Sequence, residues 1–257
     1  MEHELQKASL WKRFAAGLFD FILLVVLATG AALGLSAVLD YDAHNATMEQ
    51  IYADYESQYG ISMDLTDSQY NQMTPQEQEA YMKACEEANK AMQEDEQAIR
   101  TYNLMINLIL VITTGGILIA MVLLEFVVPL ILGNGQTVGK KIFALCLIRT
   151  DSVKMNNMQL FARTVLGKFA IETMIPVYVV LMGFFNITNI FSTLLLAALV
   201  ISQLVIVCVT KNNSLLHDLI AGTSVADFGS QRIFRSTEDL IAYQKRVAAD
   251  RASRQTY

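Results

Sequence analysis

The sequence is poor in charge, proline, cysteine and tryptophan. Charged residues make up 17% of its 257 positions, with 3 Pro, 3 Cys and 1 Trp. Soluble domains carry about 25% charged residues, so the shortage, set beside 53% hydrophobic residues, excludes a disordered chain and argues against an ordinary soluble enzyme. Cys85, Cys146 and Cys208 lie far apart and form no CxxC pair, so no disulfide framework or zinc site is indicated. Basic charge is also lacking: the formal net charge of -6 argues against a nucleic-acid partner.

What is present is a set of long charge-free runs. Phe21 to Leu39 is uncharged, and its apolar stretch starts near Phe14, interrupted only by Asp20. Thr101 to Leu124 is a second run, continuing past Glu125 to Leu132. Thr173 to Thr210 is a third, and as one helix it would reach about 57 Å, too long for one crossing of a hydrocarbon core of about 30 Å. Splitting it at Asn186–Asn189 gives two segments of spanning length. A cleaved signal peptide fits the first run poorly, because Asp20 and the length of the run favour a retained helix.

The expected fold class is an all-α membrane protein with four transmembrane helices and an extracytoplasmic helical hairpin between the first two. The boundaries are a cytoplasmic N-terminus at 1–13, a first span at 14–39, an acidic insertion at 40–101 and a second span at 102–132. A basic loop with an interfacial helix follows at 133–168, then a hairpin of two spans at 169–209 and a cytoplasmic tail at 210–257. Charge sets the orientation. Residues 40–100 hold three basic and fourteen acidic side chains, and the other sixteen basic residues fall on the opposite side of a four-span chain. Both termini are therefore expected in the cytoplasm.

Within the insertion, Thr47-Met48-Glu49-Gln50 and Thr74-Pro75-Gln76-Glu77 match the capping box, and Met48, Ile51, Tyr52, Tyr55 and Tyr59 recur at helical spacing. No breaker lies between Pro75 and Thr114, so the second outer helix is expected to run into the second span. Gly30 and Gly34 form a GxxxG whose default use is close packing within the chain.

Ionisable groups cluster toward one end of the spans. Arg13 and Asp20 lie two turns apart on one helix face; Glu125 and Glu172 stand near the cytoplasmic ends of the second and third spans. Arg163 lies in the basic loop, and Asp218 follows the fourth span by about two turns. Such groups at membrane depth cost at least about 2.5–3.5 kcal/mol each, so they pair or face water. Two readings follow: a water-reached site where Asp20, Glu125 and Asp218 exchange a proton for a cation, or a fixed network in which Arg13 and Arg163 neutralise Asp20 and Asp218. Pro129 near Glu125 and Pro176 near Glu172 are placed to break helices beside acids. Gly135-Gln136-Thr137-Val138-Gly139-Lys140-Lys141 fails as a P-loop, because its glycines enclose three residues and no Ser or Thr follows the lysine. It is expected as a basic surface turn whose lysines meet lipid head groups. His217 is expected to be structural rather than a proton shuttle.

The ordered set of Arg13 and Asp20, the Gly135–Lys141 stretch, Arg163, and Leu216-His217-Asp218-Leu219-Ile220-Ala221-Gly222-Thr223 resembles the RDD family of bacterial membrane proteins, named for an arginine and two aspartates. Arg13, Asp20 and Asp218 stand at the matching positions. The likeness covers about 8–44 and 101–229 and leaves out the insertion. It implies a multi-pass protein of the bacterial cell membrane. The sequence carries no Ser/His/Asp set, zinc spacing or nucleotide motif, so neither an enzyme nor a cofactor is expected. Some members are linked to cation–proton antiport, which implies the lipid bilayer, sodium or potassium, and protons as partners. The alternative is a non-catalytic accessory or scaffold protein that binds a membrane-protein partner through the hairpin. A homodimer is a further option, since pairing would help a four-span transporter enclose a path.

Overall fold

A computed structural model describes residues 8–185 and 189–254. The chain is mostly helical. α1 is Leu10–Val38, α2 Tyr41–Tyr59, α3 Asp67–Gln72 and α4 Pro75–Glu94; α5 runs from Glu96 to Leu132. α6 is Val138–Ile142, α7 runs from Asn157 to Phe184, α8 is Ile190–Val209, α9 Leu216–Ala221 and α10 Thr237–Arg254. Four of these (α1, α5, α7 and α8) are long and apolar enough to cross a membrane. They turn large apolar side chains such as Trp11, Phe184, Phe191 and Val209 outward, which in water would be unfavourable and in lipid is the expected surface. The sequence split of the third charge-free run agrees with the ends of α7 and α8, while Asn186–Thr188 lie outside the described residues.

The chain forms two compact units, Met1–Thr29 with Ile117–Tyr257, and Gly30–Gly116. In the second, α2 packs on α4 with Met48 and Ile51 buried, so the apolar stripe is real. Thr74 makes the expected capping box with Glu77. Two expectations need correction. Thr47 lies inside α2, which already starts after Asp40, and its hydroxyl donates to the carbonyl of Ala43. The helix from Pro75 does not run on: it stops at Asp95, whose carboxylate accepts from the N–H groups of Gln97 and Ala98 and opens α5. An aspartate that caps the next helix interrupts a chain without Gly or Pro.

In the first unit the all-α expectation is corrected by a two-stranded ribbon. β1 (Leu145–Arg149) pairs antiparallel with β2 (Thr223–Asp227), Leu145 opposite Asp227 and Arg149 opposite Thr223. The pleat sends Leu145 and Leu147 to one face, against Ala16 of α1 and Leu160 of α7, and Cys146 and Ile148 to the other. The ribbon thereby ties the loop after α5 to the segment after α9. Gly30 and Gly34 correct a further reading. A Cβ built at either meets nothing within 4 Å, so the GxxxG is not a close contact in this chain.

α5 and α7 each contain a widened stretch, Val122–Val127 and Ala162–Thr173, in which the N–H bonds reach five residues back. Each ends just before a proline. Pro129 cannot donate to the carbonyl of Glu125 four residues earlier, nor Pro176 to that of Glu172. The prolines thus accompany widened helix rather than a break, and Thr164 Oγ1 donates to the freed Glu125 carbonyl at 2.9 Å.

Candidate functional site

The wide turn of α7 decides which side chains meet. At about 3.6 residues per turn, residues nine apart point to opposite sides of a helix. The π stretch has a longer turn, and Arg163, Lys168 and Glu172, spaced by five and four residues, all line one cavity of about 790 Å³. Asp20, Glu125, Lys140 and His217 line it as well, and so does Arg13.

Three linked groups make up the polar end. In the first, Arg163 Nε donates to Asp218 Oδ1 at 3.0 Å, and Arg13 Nη2 lies 3.4 Å from Asp218 Oδ2. Arg13 also donates to the carbonyls of Asn212 and Asn213 at 3.1 and 2.7 Å, closing the loop before α9 onto α1. Burial works to raise the Asp218 carboxyl, but Arg163, His217 and Arg13 outweigh it and hold it below the ordinary carboxylate range.

In the second, Asp20 reaches the turn at Gly135–Lys141. Its Oδ1 accepts from the Gly139 N–H at 2.8 Å and its Oδ2 from Thr137 Oγ1 at 2.5 Å. The carboxylate thus sits at the N-terminal end of α6, where free N–H groups favour negative charge. Gly139 is required there: a Cβ would fall 2.3 Å from the Ala16 carbonyl oxygen and 2.9 Å from Asp20 Oδ1. Gly135 has φ +63°, and a Cβ would meet Leu147 Cβ at 2.6 Å, so the first glycine of the motif is also fixed by its backbone.

In the third, Glu172 Oε2 lies 2.6 Å from His217 Nδ1, and its Oε1 accepts from the His217 N–H at 3.0 Å and from Gln203 at 2.6 Å. Arg163 Nη2 lies 2.8 Å from His217 Nε2. Arginine can only donate, so Nε2 accepts and Nδ1 carries the hydrogen toward Glu172. Burial first, and Arg163 next, lower the His217 pKa and keep the ring neutral. Gly222, with φ +62°, ends α9.

Glu125 joins the groups. It pairs with Lys168, and its Oε2 lies 3.8 Å from Arg163 Nη1 and 3.8 Å from Lys140 Nζ. The second Lys140 contact is Asp20 Oδ2, also at 3.8 Å, and Nζ donates to Thr137 Oγ1 at 3.1 Å. The Lys140 ammonium is therefore held between two carboxylates and a hydroxyl. Burial lowers its pKa to about 8; Glu125 acts to raise it, Lys168 and Arg163 to lower it further, and Asp20 to raise it.

The structure brings Arg13, Asp20, Glu125, Arg163, Glu172 and Asp218 near one another, with a pairing that differs from the expected one. Arg13 and Arg163 both turn to Asp218, and Asp20 takes Lys140 and backbone instead. Lys140 was expected at the lipid surface with Lys141; Lys141 is exposed, whereas Lys140 is 7% exposed and belongs to the cluster. Lys168 and Thr137 were not singled out at all. Four carboxylates face four permanent or near-permanent cations, so the cluster is balanced with His217 neutral.

The RDD family model matches residues 7–222. No curated protein and no solved structure matches the chain.

Proposed function

The chain belongs to the RDD family of membrane proteins, and from that premise we propose that it exchanges a monovalent cation for a proton at the place held by Lys140. The observation that carries this reading is the ammonium of Lys140 bridging Asp20 and Glu125 at 3.8 Å each. With the lysine protonated, the cluster is balanced. Loss of that proton leaves one negative charge in excess between the same two carboxylates, and a single monovalent cation restores neutrality. One proton out for one cation in follows from charge alone. The proton carrier in this reading is the lysine rather than a carboxylate.

The setting we propose is the bacterial cell membrane, with α1, α5, α7 and α8 as spans, both termini in the cytoplasm and residues 40–101 outside. The placement of sixteen basic residues away from that insertion supports it.

A second reading rests on the same balance. A cluster whose charges cancel is also suited to locking helices, and the protein would then serve as a scaffold whose partner meets the separate unit at Gly30–Gly116.

The test is purified protein in liposomes loaded with a pH dye. A panel of inorganic and organic monovalent cations is added outside, and each is read against protein-free liposomes. Exchange predicts a pH change in the wild type that Asp20→Asn and Lys140→Gln lose while their helical content stays native. Silence across the panel from well-folded wild type overturns exchange; partner capture that depends on residues 40–101 would then favour the scaffold.

A further inference from the structure

Glu125 is 6% exposed, yet its Oε2 accepts no hydrogen bond; Lys140 and Arg163 approach it only to 3.8 Å. A buried carboxylate oxygen left without a donor is costly, and such groups in native proteins call for an explanation. This one belongs to a residue lining the cavity of about 790 Å³, within the size range of small-molecule sites. Away from the cluster the lining is hydrocarbon: Phe14, Phe21 and Leu24 of α1, with Met121, Val177 and Val207.

That combination disfavours an alkali-metal ion as the best-fitting occupant. Alkali ions in transporters are coordinated by unwound backbone carbonyls and helix C-terminal ends that replace the hydration shell. Here the oxygens beside Lys140 are two carboxylates and one hydroxyl, and no metal-binding group of three or more acidic, His or Cys side chains exists among the described residues. The present occupant of the cation place is an ammonium at the end of an alkyl stem. A free molecule of the same kind would bring three N–H donors to the oxygens and an apolar body to the hydrocarbon wall.

We infer that the cavity takes an amphiphilic primary ammonium, its charged head against Glu125 and Asp20 and its hydrocarbon part along Phe14, Phe21 and Val177. The inference rests on the reading of the Lys140 place as a cation place and names the chemical class that fits it. The ammonium displaces the deprotonated Lys140 side chain, so binding follows the lysine's loss of its proton.

The probe is octylammonium, with octanoate and octanol as controls of equal chain length, and the readout is the unfolding midpoint of the purified protein in detergent. Octylammonium alone raises the midpoint, in a saturable way. With Lys140 titrating near pH 8, the competent fraction rises about tenfold between pH 7 and pH 9, and the half-effective concentration falls about tenfold. Lys140→Gln binds without that pH dependence. Glu125→Gln loses binding, and if that variant fails to fold, Val177→Trp carries the test by filling the apolar part of the cavity while leaving every charge in place. Equal shifts with octanoate or octanol, or undiminished binding by Val177→Trp, overturn the inference. Octylammonium binding without proton movement in liposomes removes the exchange reading and keeps the site. Sodium-driven proton movement without octylammonium binding does the reverse.

Discussion

Thr164 donates its hydroxyl to the carbonyl of Glu125 at 2.9 Å, in the place where Pro129, four residues on, has no N–H to offer. A side chain of α7 thus satisfies backbone that the proline of α5 leaves free, and it does so beside the carboxylate that joins the polar groups. Thr164→Val keeps the shape and removes the donor, leaving a buried carbonyl without that partner. A loss of about 1–2 kcal/mol in unfolding free energy is expected, with Thr164→Ser close to wild type. Denaturant titration in detergent measures both.

Arg163 and Asp218 are the most enclosed ion pair, with side chains 2% and 0% exposed. Replacing one partner leaves the other charge buried and costs roughly 3–5 kcal/mol, whereas replacing both with apolar residues costs less than the sum. Arg163→Met, Asp218→Leu and the double variant form the cycle. The interaction energy is expected to be smaller than for an isolated pair, because Asp218 keeps Arg13 and Arg163 keeps Glu125 and His217. Additive losses would remove the pair from the account of helix packing.

The four long apolar helices were legible because a hydrocarbon core asks for length and absence of charge, both of which are local properties. Arg13, Asp20 and Asp218 were legible as ionisable groups out of place in apolar surroundings. Lys140 was not. It follows a glycine and precedes Lys141, and tertiary contacts to Asp20, more than a hundred residues earlier in the chain, and to Glu125 distinguish the buried lysine from the exposed one. Lys168 was missed, and the common side of Arg163 and Glu172 was hidden, because the α-helical period sends those two to opposite sides; the π stretch that reunites them leaves no pattern that a 3.6-residue repeat would detect. The ribbon was half visible, since Leu145–Ile148 is apolar, but its partner Thr223–Asp227 is mixed in polarity.

The neutral His217 ring gives stability a pH dependence of defined sign. Its pKa in the folded chain lies below the ordinary 6.5, because burial and Arg163 both oppose a second proton. Above about pH 6.5 the ring is neutral in folded and unfolded chains alike, and its full contribution is present. As pH falls from there, the unfolded chain takes up a proton first, so stability declines until the folded ring is protonated too. Protonation also turns Nε2 into a donor facing the donor Arg163 Nη2 at 2.8 Å. Unfolding midpoints between roughly pH 5 and 8 should fall toward acid in the wild type and fall less in His217→Gln. Equal acid slopes in the two proteins would assign the loss to carboxylates instead.

Gly167 gives the sharpest steric test. It lies in the widened stretch of α7, and α9 packs directly on it: a Cβ would stand 2.6 Å from His217 Cβ and 2.8 Å from His217 Cα. The second of these atoms is backbone, so no rotamer change relieves the clash, and α9 must move away from α7. Movement of α9 lengthens His217–Glu172 and Asp218–Arg163 together, since both residues ride on one short helix. Gly167→Ala is therefore expected to cost about 1–3 kcal/mol by overpacking, and the proposed cation–proton exchange predicts a lower rate in liposomes for this variant even when the protein inserts normally. Gly17→Ala is the matched control. It lines the same cavity, but a Cβ there meets nothing within 4 Å, and alanine favours the helix by roughly 0.5–1 kcal/mol over glycine. Unfolding midpoints of the two variants should move in opposite directions; a Gly167→Ala protein as stable as wild type would mean that α9 is not held against the π stretch by this contact.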